Sequence, residues 1–331
     1  MRSVREARPR ASRAEARSAR CRSTEARSAR CRSTEHAASR REQAAGCGTV
    51  MSMTRIAVVG GGRIGEALIA GLRESGTESS DIVVVEAVQA RADELAKKYN
   101  ILATSLDIGC EGADVIVVAV KPQDVPAVVD RIGDAISDSV HESIVVSLAA
   151  GVPTQVLENK LSAGSPVLRV MPNTAMLVGH GVSAVCKGRY ARDEHLEQVV
   201  TIMESVGLVV VVSEAQMDAV TAISGSGPAY FFLLTEAMID AGVERGLPRD
   251  VAVKLATGTA LGAGAMLTGG GGGPAELRYN VSSPGGTTAA AIRTLEARGL
   301  RAAVADAVEA ATDRSRALAQ AATSDDDDEN D

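Results

Sequence analysis

Two glycine-rich stretches in this 331-residue chain, each heading a helix-like segment, are the places where backbone could close on a ligand. The first, "RIAVVGGGRIGEALIAGL", sets Gly60, Gly62 and Gly65 in a G-x-G-x-x-G pattern between an apolar run and an amphipathic stretch. In such a loop the first glycine makes the tight turn, the second admits a pyrophosphate, and the third lets helix and strand pack closely. Arg63 and Ile64, between the last two glycines, belong to the same candidate loop. A glycine-rich turn that binds nothing is the other reading. Glu86 ends the next apolar run, "DIVVVE". A carboxylate there accepts hydrogen bonds from a ribose 2′-OH and repels a 2′-phosphate, so the loop calls for NADH or NADPH with the balance toward NADH. Arg91, five residues on, stands within reach of a phosphate.

The second stretch is "VSSPGGTTAAAIRTLE", residues 281–296. Gly285 and Gly286 let backbone approach a ligand, while Thr287 and Thr288 cap the helix and leave its first amides pointing outward. That arrangement suits an anion. Residues 283–288 contain no Lys, Arg or metal ligand, so amides and hydroxyls would have to hold the anion. An ordinary capped turn between helices is the alternative.

The elements that must position these loops follow from the apolar pattern. The runs "RIAVV", "DIVVVE", "DVIVVAV", "SIVVSLA" and "PVLRVM" alternate with helix-like stretches from Arg55 to about Met171. Such alternation predicts a parallel sheet covered on both faces. Two further runs, at 181–188 and 207–214, flank a helix and extend that sheet. From Ala215 to about Ala322 helical periodicity takes over, with breaks at "SGSGP", "GLP", "TGGGGGP" and "SSPGG". The reading is an α/β nucleotide-binding domain over 53–214 followed by an all-helical domain over 215–322.

Both ends fall outside these domains. Residues 1–52 carry the tandem repeat "EARSARCRST" and almost no large apolar residues, which predicts a disordered tail, or a translation start at Met51 or Met53. Residues 323–331 are an acidic run expected as a solvated tail. The first fifty residues hold thirteen Arg against five Glu, so the remainder of this chain of net charge −7 carries about −15. An acidic body argues against nucleic acid as a partner. The apolar stretches are interrupted before the roughly 20 residues of a membrane span. Cys110 and Cys186 are the two cysteines of the body, and without a C-x-x-C neither metal site nor disulfide framework is expected. A reducing cytoplasm fits.

"VAVKPQDV" at 118–125 and "RVMPNTAM" at 169–176 each close a strand at the carboxyl edge, where open sheets bind ligands. With "AISGSGPAYFFLLTEAMIDAGVERGLPR" at 222–249 and the segment from "SSPGGTT" onward, the chain resembles delta-1-pyrroline-5-carboxylate reductase over about residues 53–320. The resemblance implies reduction of the cyclic imine 1-pyrroline-5-carboxylate to L-proline by hydride from NADPH or NADH. It implies a Rossmann domain and a helical dimerisation domain, giving a homodimer and in many members a decamer. By the same resemblance Ala119, Val120, Lys121 and Pro122 lie beside the nicotinamide, with Met171, Pro172 and Asn173 near it. Ser283, Pro284, Gly285, Gly286, Thr287 and Thr288 would hold the substrate carboxylate, and Thr288 is the candidate donor toward the ring nitrogen. A protonated imine needs little further acid, so positioning can carry much of the catalysis.

The chain departs from the family at Ala175, where Pro is usual, and at "EAVQAR" and "TSLD", which lack the residues of NADPH-preferring members. Lys254, the sole Lys of the helical half, would be the base of a rival hydroxyacid or cofactor dehydrogenase; a non-catalytic dinucleotide or proline sensor would have no reason to keep both "VAVKP" and "SSPGGTT". His141, His180 and His195 lack partners at metal-ligand spacing and read as surface residues.

Overall fold

The computed structural model describes residues 54–137, 139 and 141–328, so the basic segment expected to be disordered lies outside the described residues. Eight strands form one sheet in the order β3-β2-β1-β4-β5-β6-β7-β8. They are β1 (Ile56–Val59), β2 (Ile82–Val85), β3 (Leu102–Thr104), β4 (Val115–Val118), β5 (Ile144–Ser147), β6 (Val167–Met171), β7 (Gly181–Lys187) and β8 (Gly207–Val211). β1 through β6 pair in parallel.

Alternation along each strand divides the core in two. Ile56 and Val58 pack with Leu68, Ile69 and Leu72 of α1 (Arg63–Glu74), Leu95 of α2 (Gln89–Tyr99), and Val199, Ile202 and Met203. Ala57 and Val59 face the other way, toward Leu106 of α3 (Leu106–Cys110), Val129 and Ile132 of α4 (Val125–Ile136), and Val156 and Leu157 of α5 (Thr154–Lys160). Two buried faces explain why these strands are near-continuous Val and Ile.

Two features depart from the expected sheet. β3, "LAT", is a three-residue edge strand whose Leu102 is exposed, too short and too polar to register as an apolar run. The larger departure is one of direction. β7 runs antiparallel to β6, and β8, after α6 (Asp193–Glu204), runs parallel to β7. The chain therefore leaves β8 at the edge opposite the carboxyl ends of the parallel strands. Residues 212–225 carry it back across the sheet face, through α7 (Met217–Val220) and a π turn at Thr221–Gly225, into α8 (Gly227–Glu244). "SGSGP", expected as a helix break, is this π turn running into the first turn of α8.

The helical half continues with α9 (Arg249–Thr268), α10 (Pro274–Asn280), α11 (Thr287–Ala297) and α12 (Leu300–Asp328). α12 returns to the α/β half: Ser315 Oγ donates to Asp218 Oδ1 at 2.7 Å, and Leu318 packs beside Gly151. The acidic run expected as a solvated tail is helical through Asp328. Extending a formed helix gains a hydrogen bond per residue fixed.

α8 and α9 are apolar around much of their circumference and leave Phe231 63%, Phe232 70% and Leu261 75% exposed on the single chain. α9 is long and apolar enough, by length and composition, to cross a bilayer, since Lys254 is the one charge in its last 18 residues. Helices apolar all round belong in a core, an interface or a membrane.

His195 is not the surface residue expected. It is buried at the third position of α6, where Nδ1 accepts the Arg192 amide at 3.2 Å, and capping the helix draws the ring inward. His141 does lie outward, 2.9 Å from Asp114.

Candidate dinucleotide and substrate site

The first loop is built around what its glycines leave open. Gly60 has φ +107°, donates its N–H to the carbonyl of Val85 at 2.8 Å, and leaves no room for a Cβ, which would stand 2.7 Å from the Ala119 carbonyl oxygen. A Cβ on Gly65 would overlap the carbonyl oxygen of Gly60. Gly62 is different: it is extended, caps α1 without a side chain, and has nothing within 4 Å of the position a Cβ would take. Open space faces the first amides of α1, with Arg63 exposed and Ile64 half-buried beside it. A cradle of this form fits a pyrophosphate.

Glu86 reaches back over the loop. Its Oε2 accepts the Gly61 amide at 2.7 Å and its Oε1 the Val88 amide at 2.9 Å, which fixes the carboxylate at the end of β2. Arg91 holds the next peptide along, donating from Nε to the Gly61 carbonyl at 2.9 Å. Its remaining nitrogens go to Glu94, at 2.8 Å, and to Glu66. Glu66, in the first turn of α1, also takes hydrogen bonds from Lys98 at 2.8 Å and Tyr99 at 3.0 Å. Lys98 foremost, with Arg91 and Tyr99, holds the Glu66 carboxyl down at about 2 against the opposing effect of burial.

β4 delivers residues 119–122 to the same edge. Ala119 donates its amide to the Val59 carbonyl at 2.7 Å and backs Gly60; Lys121 and Pro122 follow, exposed, with Val120 half-buried. β6 ends there with Met171, Pro172 and Asn173, all buried. Asn173 Oδ1 accepts the amides of Ala175 and Val182, both at 3.2 Å, and its Nδ2 donates to the Ser224 carbonyl at 3.1 Å. The Ala175 bond uses an N–H that Pro lacks, so this departure from the family pattern adds a tie to the turn. Met171 packs against the π turn, where a Cβ on Gly225 would stand 2.6 Å from its Cε.

Deeper on that face, Arg169 of β6 is 2% exposed and pairs with Glu214. Its Nε and Nη2 are buried with no acceptor among the described residues. Cys186, opposite Arg169 on β7, donates to the second oxygen of Glu214 at 3.0 Å, and burial together with that carboxylate pushes its thiol well up. The Arg169 pair, the Met171 contact and the Asn173 bond anchor the crossing segment at successive points.

Residues 283–288 lie on the turn between α10 and α11. Gly285 takes φ +71°, Gly286 donates to the Ser283 carbonyl at 3.0 Å and caps α11, and Thr287 and Thr288 open the helix. Ser283, Pro284, Gly285 and Thr287 are exposed, while Gly286 and Thr288 are half-buried. The hydrogen bonds of this turn stay within α10 and α11, whereas residues 60–65, 86 and 119 contact one another directly. A groove of about 450 Å³ runs beside the turn, lined by Arg278, Tyr279, Ser282, Ala289, Ile292 and Arg293 among others.

Residues 214–318 match the family described as pyrroline-5-carboxylate reductase dimerisation, and residues 55–151 that described as NADP oxidoreductase coenzyme F420-dependent. The pyrroline-5-carboxylate reductase of Mycobacterium tuberculosis is 47% identical over 289 residues, covering 81% of this chain and 98% of that protein. The structure of a pyrroline-5-carboxylate reductase from Coxiella burnetii aligns with TM-score 0.77 and 34% identity, over 81% of this chain and 99% of that one. That of the Plasmodium falciparum pyrroline carboxylate reductase with NADP bound aligns with TM-score 0.70 and 30% identity, over 80% and 98%. Identity of 47% with a relative covered over 98% of its length, with the match of residues 214–318, places the chain in the pyrroline-5-carboxylate reductase family.

Proposed function

We propose that the protein reduces 1-pyrroline-5-carboxylate to L-proline, the last step of proline biosynthesis, with a nicotinamide dinucleotide as hydride source and NADH favoured over NADPH. The observation that carries the reading is the pair of glycine-rich helix starts, one opening at Gly62 onto the carboxyl edge of the sheet and one at Gly286 in the family's dimerisation module. Amides of residues 62–65 would hold the pyrophosphate, Glu86 the ribose hydroxyls, and residues 119–122 and 171–173 the nicotinamide end. The bound dinucleotide supplies the hydride.

Residues 283–288 would receive the substrate carboxylate on the first amides of α11, beyond Gly286, whose own N–H is taken by the Ser283 carbonyl. Thr288, in the first turn of that helix, would set its hydroxyl against the ring nitrogen. Since the imine enters already protonated, this hydroxyl orients rather than acidifies, and rate comes from holding donor and acceptor in line. Lys254, the base a hydroxyacid dehydrogenase would use, is exposed on α9. The exposed turn at 283–287 and the apolar α8 and α9 fit a homodimer formed through the helical half, assembling further to a decamer. The cytoplasm is the expected location, in keeping with free thiols at Cys110 and Cys186.

Oxidation of NADH and NADPH in parallel by the purified protein with 1-pyrroline-5-carboxylate tests the reading. Turnover with a higher kcat/KM for NADH supports it; an oligomer inactive with both cofactors overturns it.

A further inference from the structure

Arg91 occupies the first turn of α2, directly after the strand whose end reads the adenosine ribose. An Arg in that neighbourhood is the usual receiver of a 2′-phosphate. Here each guanidinium nitrogen is already engaged, Nε on the Gly61 carbonyl, Nη1 on Glu94 and Nη2 on Glu66, which leaves one N–H on each Nη and fixes the direction of both. The Glu94 contact is an exposed pair three residues apart on one helix, of a kind that contributes little. Glu66 is the firm partner. It comes from a different helix, is largely shielded, and uses its second oxygen to hold Lys98, which also lies 5.1 Å from the Tyr99 ring centroid. One carboxylate thus restrains both Arg91 and Lys98.

We propose that Glu66 is a determinant of cofactor preference, sequestering Arg91 and Lys98 so that neither is turned toward a 2′-phosphate beside Glu86. The inference rests on the NADH reading of Glu86. It assigns the discrimination to two carboxylates with separate tasks: Glu86 meets the ribose, and Glu66 disarms the side chains that would otherwise reward the extra phosphate. The chain then keeps an Arg where a phosphate reader stands while using it to brace the Gly61 peptide.

Adenosine 2′,5′-bisphosphate and 5′-AMP differ only in the group at issue, so calorimetric titration of the full-length protein with each isolates its contribution. For Glu66→Gln the bisphosphate is expected to bind about tenfold tighter, the worth of one charge-assisted hydrogen bond, with 5′-AMP within twofold of the native value. Retained 5′-AMP binding reports an intact loop. An unchanged bisphosphate affinity in that variant overturns the inference. Arg91→Ala tests it independently with Glu66 in place: in the otherwise native chain it should leave the ratio of the two affinities unchanged, and in the Glu66→Gln background it should remove the gain. A selective loss of bisphosphate affinity on Arg91→Ala alone would show the guanidinium already on the phosphate, and the inference falls. A native preference for the bisphosphate would sink the Glu86 reading by itself, because the Glu66 inference is judged on the change in the ratio.

Discussion

Asn173 and Ser224, 51 residues apart, are joined by a 3.1 Å hydrogen bond from the Asn amide to the Ser carbonyl, which ties the end of β6 to the π turn opening the helical half. The same side chain accepts from Ala175 and Val182. Asn173→Ala strips three backbone groups of their partner in a buried place, so it should destabilise the protein by about 3 kcal/mol. Asn173→Asp keeps both acceptor bonds but sets a buried carboxylate oxygen against the Ser224 carbonyl, so its loss should shrink at acid pH, where the protonated acid can donate there again. Urea titrations at neutral and acid pH should show that recovery for Asn173→Asp and none for Asn173→Ala.

Gly62 and Gly65 separate ligand space from packing space. Gly65→Ala drives a Cβ into the Gly60 carbonyl and should lower stability by about 2 kcal/mol and weaken dinucleotide binding together. Gly62→Ala meets only open space in the free chain, so its Tm should stay within about a degree while NADH affinity falls at least about tenfold. Thermal melts with fluorescence titration of NADH check both; a stable Gly62→Ala that binds NADH normally would place the pyrophosphate elsewhere.

Thr288→Ala should lower kcat about tenfold, a hydrogen bond's worth, and leave dinucleotide affinity nearly unchanged. Loss of cofactor affinity instead would show that the residue has been given the wrong neighbour.

Glu66 makes a pH-dependent contribution whose sign follows from its carboxyl being lowered from 4.5 to about 2 in the folded chain. The stabilisation is present above the unfolded value and is lost as pH falls toward the folded one. The Tm advantage of the native protein over Glu66→Gln should therefore hold at neutral pH and shrink between about pH 5 and pH 2. A difference constant across that window would show that the ion pairs with Arg91 and Lys98 do not contribute through charge.

Phe231→Asp together with Phe232→Asp places two charges on the most exposed apolar face of α8, each against an interface that would have to desolvate it. Sedimentation should shift the doubly substituted protein from dimer or larger toward monomer. An unaltered oligomer would move the interface off this face.

Much of the architecture was legible in the sequence because buried parallel strands must be long Val and Ile runs, and five of the eight announced themselves so. β3 was silent, being three residues on an edge. Direction was silent too: the pattern of β7 and β8 signals strands but not which way they run. The G-x-G-x-x-G loop and Glu86 could be read because the chemistry is local. Arg91 was read as reaching toward a phosphate, since its tie to Glu66 spans 25 residues and is visible only once α1 and α2 are side by side. Arg169 and Glu214, 45 residues apart, were hidden for the same reason, and His195 was misplaced because capping, not hydropathy, turned it inward.

The return of residues 212–225 across the sheet bears on how this protein could be dissected. A nucleotide-binding fragment ended where the strands end, at Val211, would keep every strand of the sheet and yet strand Arg169 in its face with its counter-charge cut away. Leaving a buried charge unpaired costs several kcal/mol, about what a whole domain has in hand. The end of the last strand is therefore a poor place to cut: residues just beyond β8 complete the electrostatics of the sheet, and a fragment meant to bind dinucleotide on its own has to carry the chain past Glu214, and through Gly225 to keep the contact with Met171.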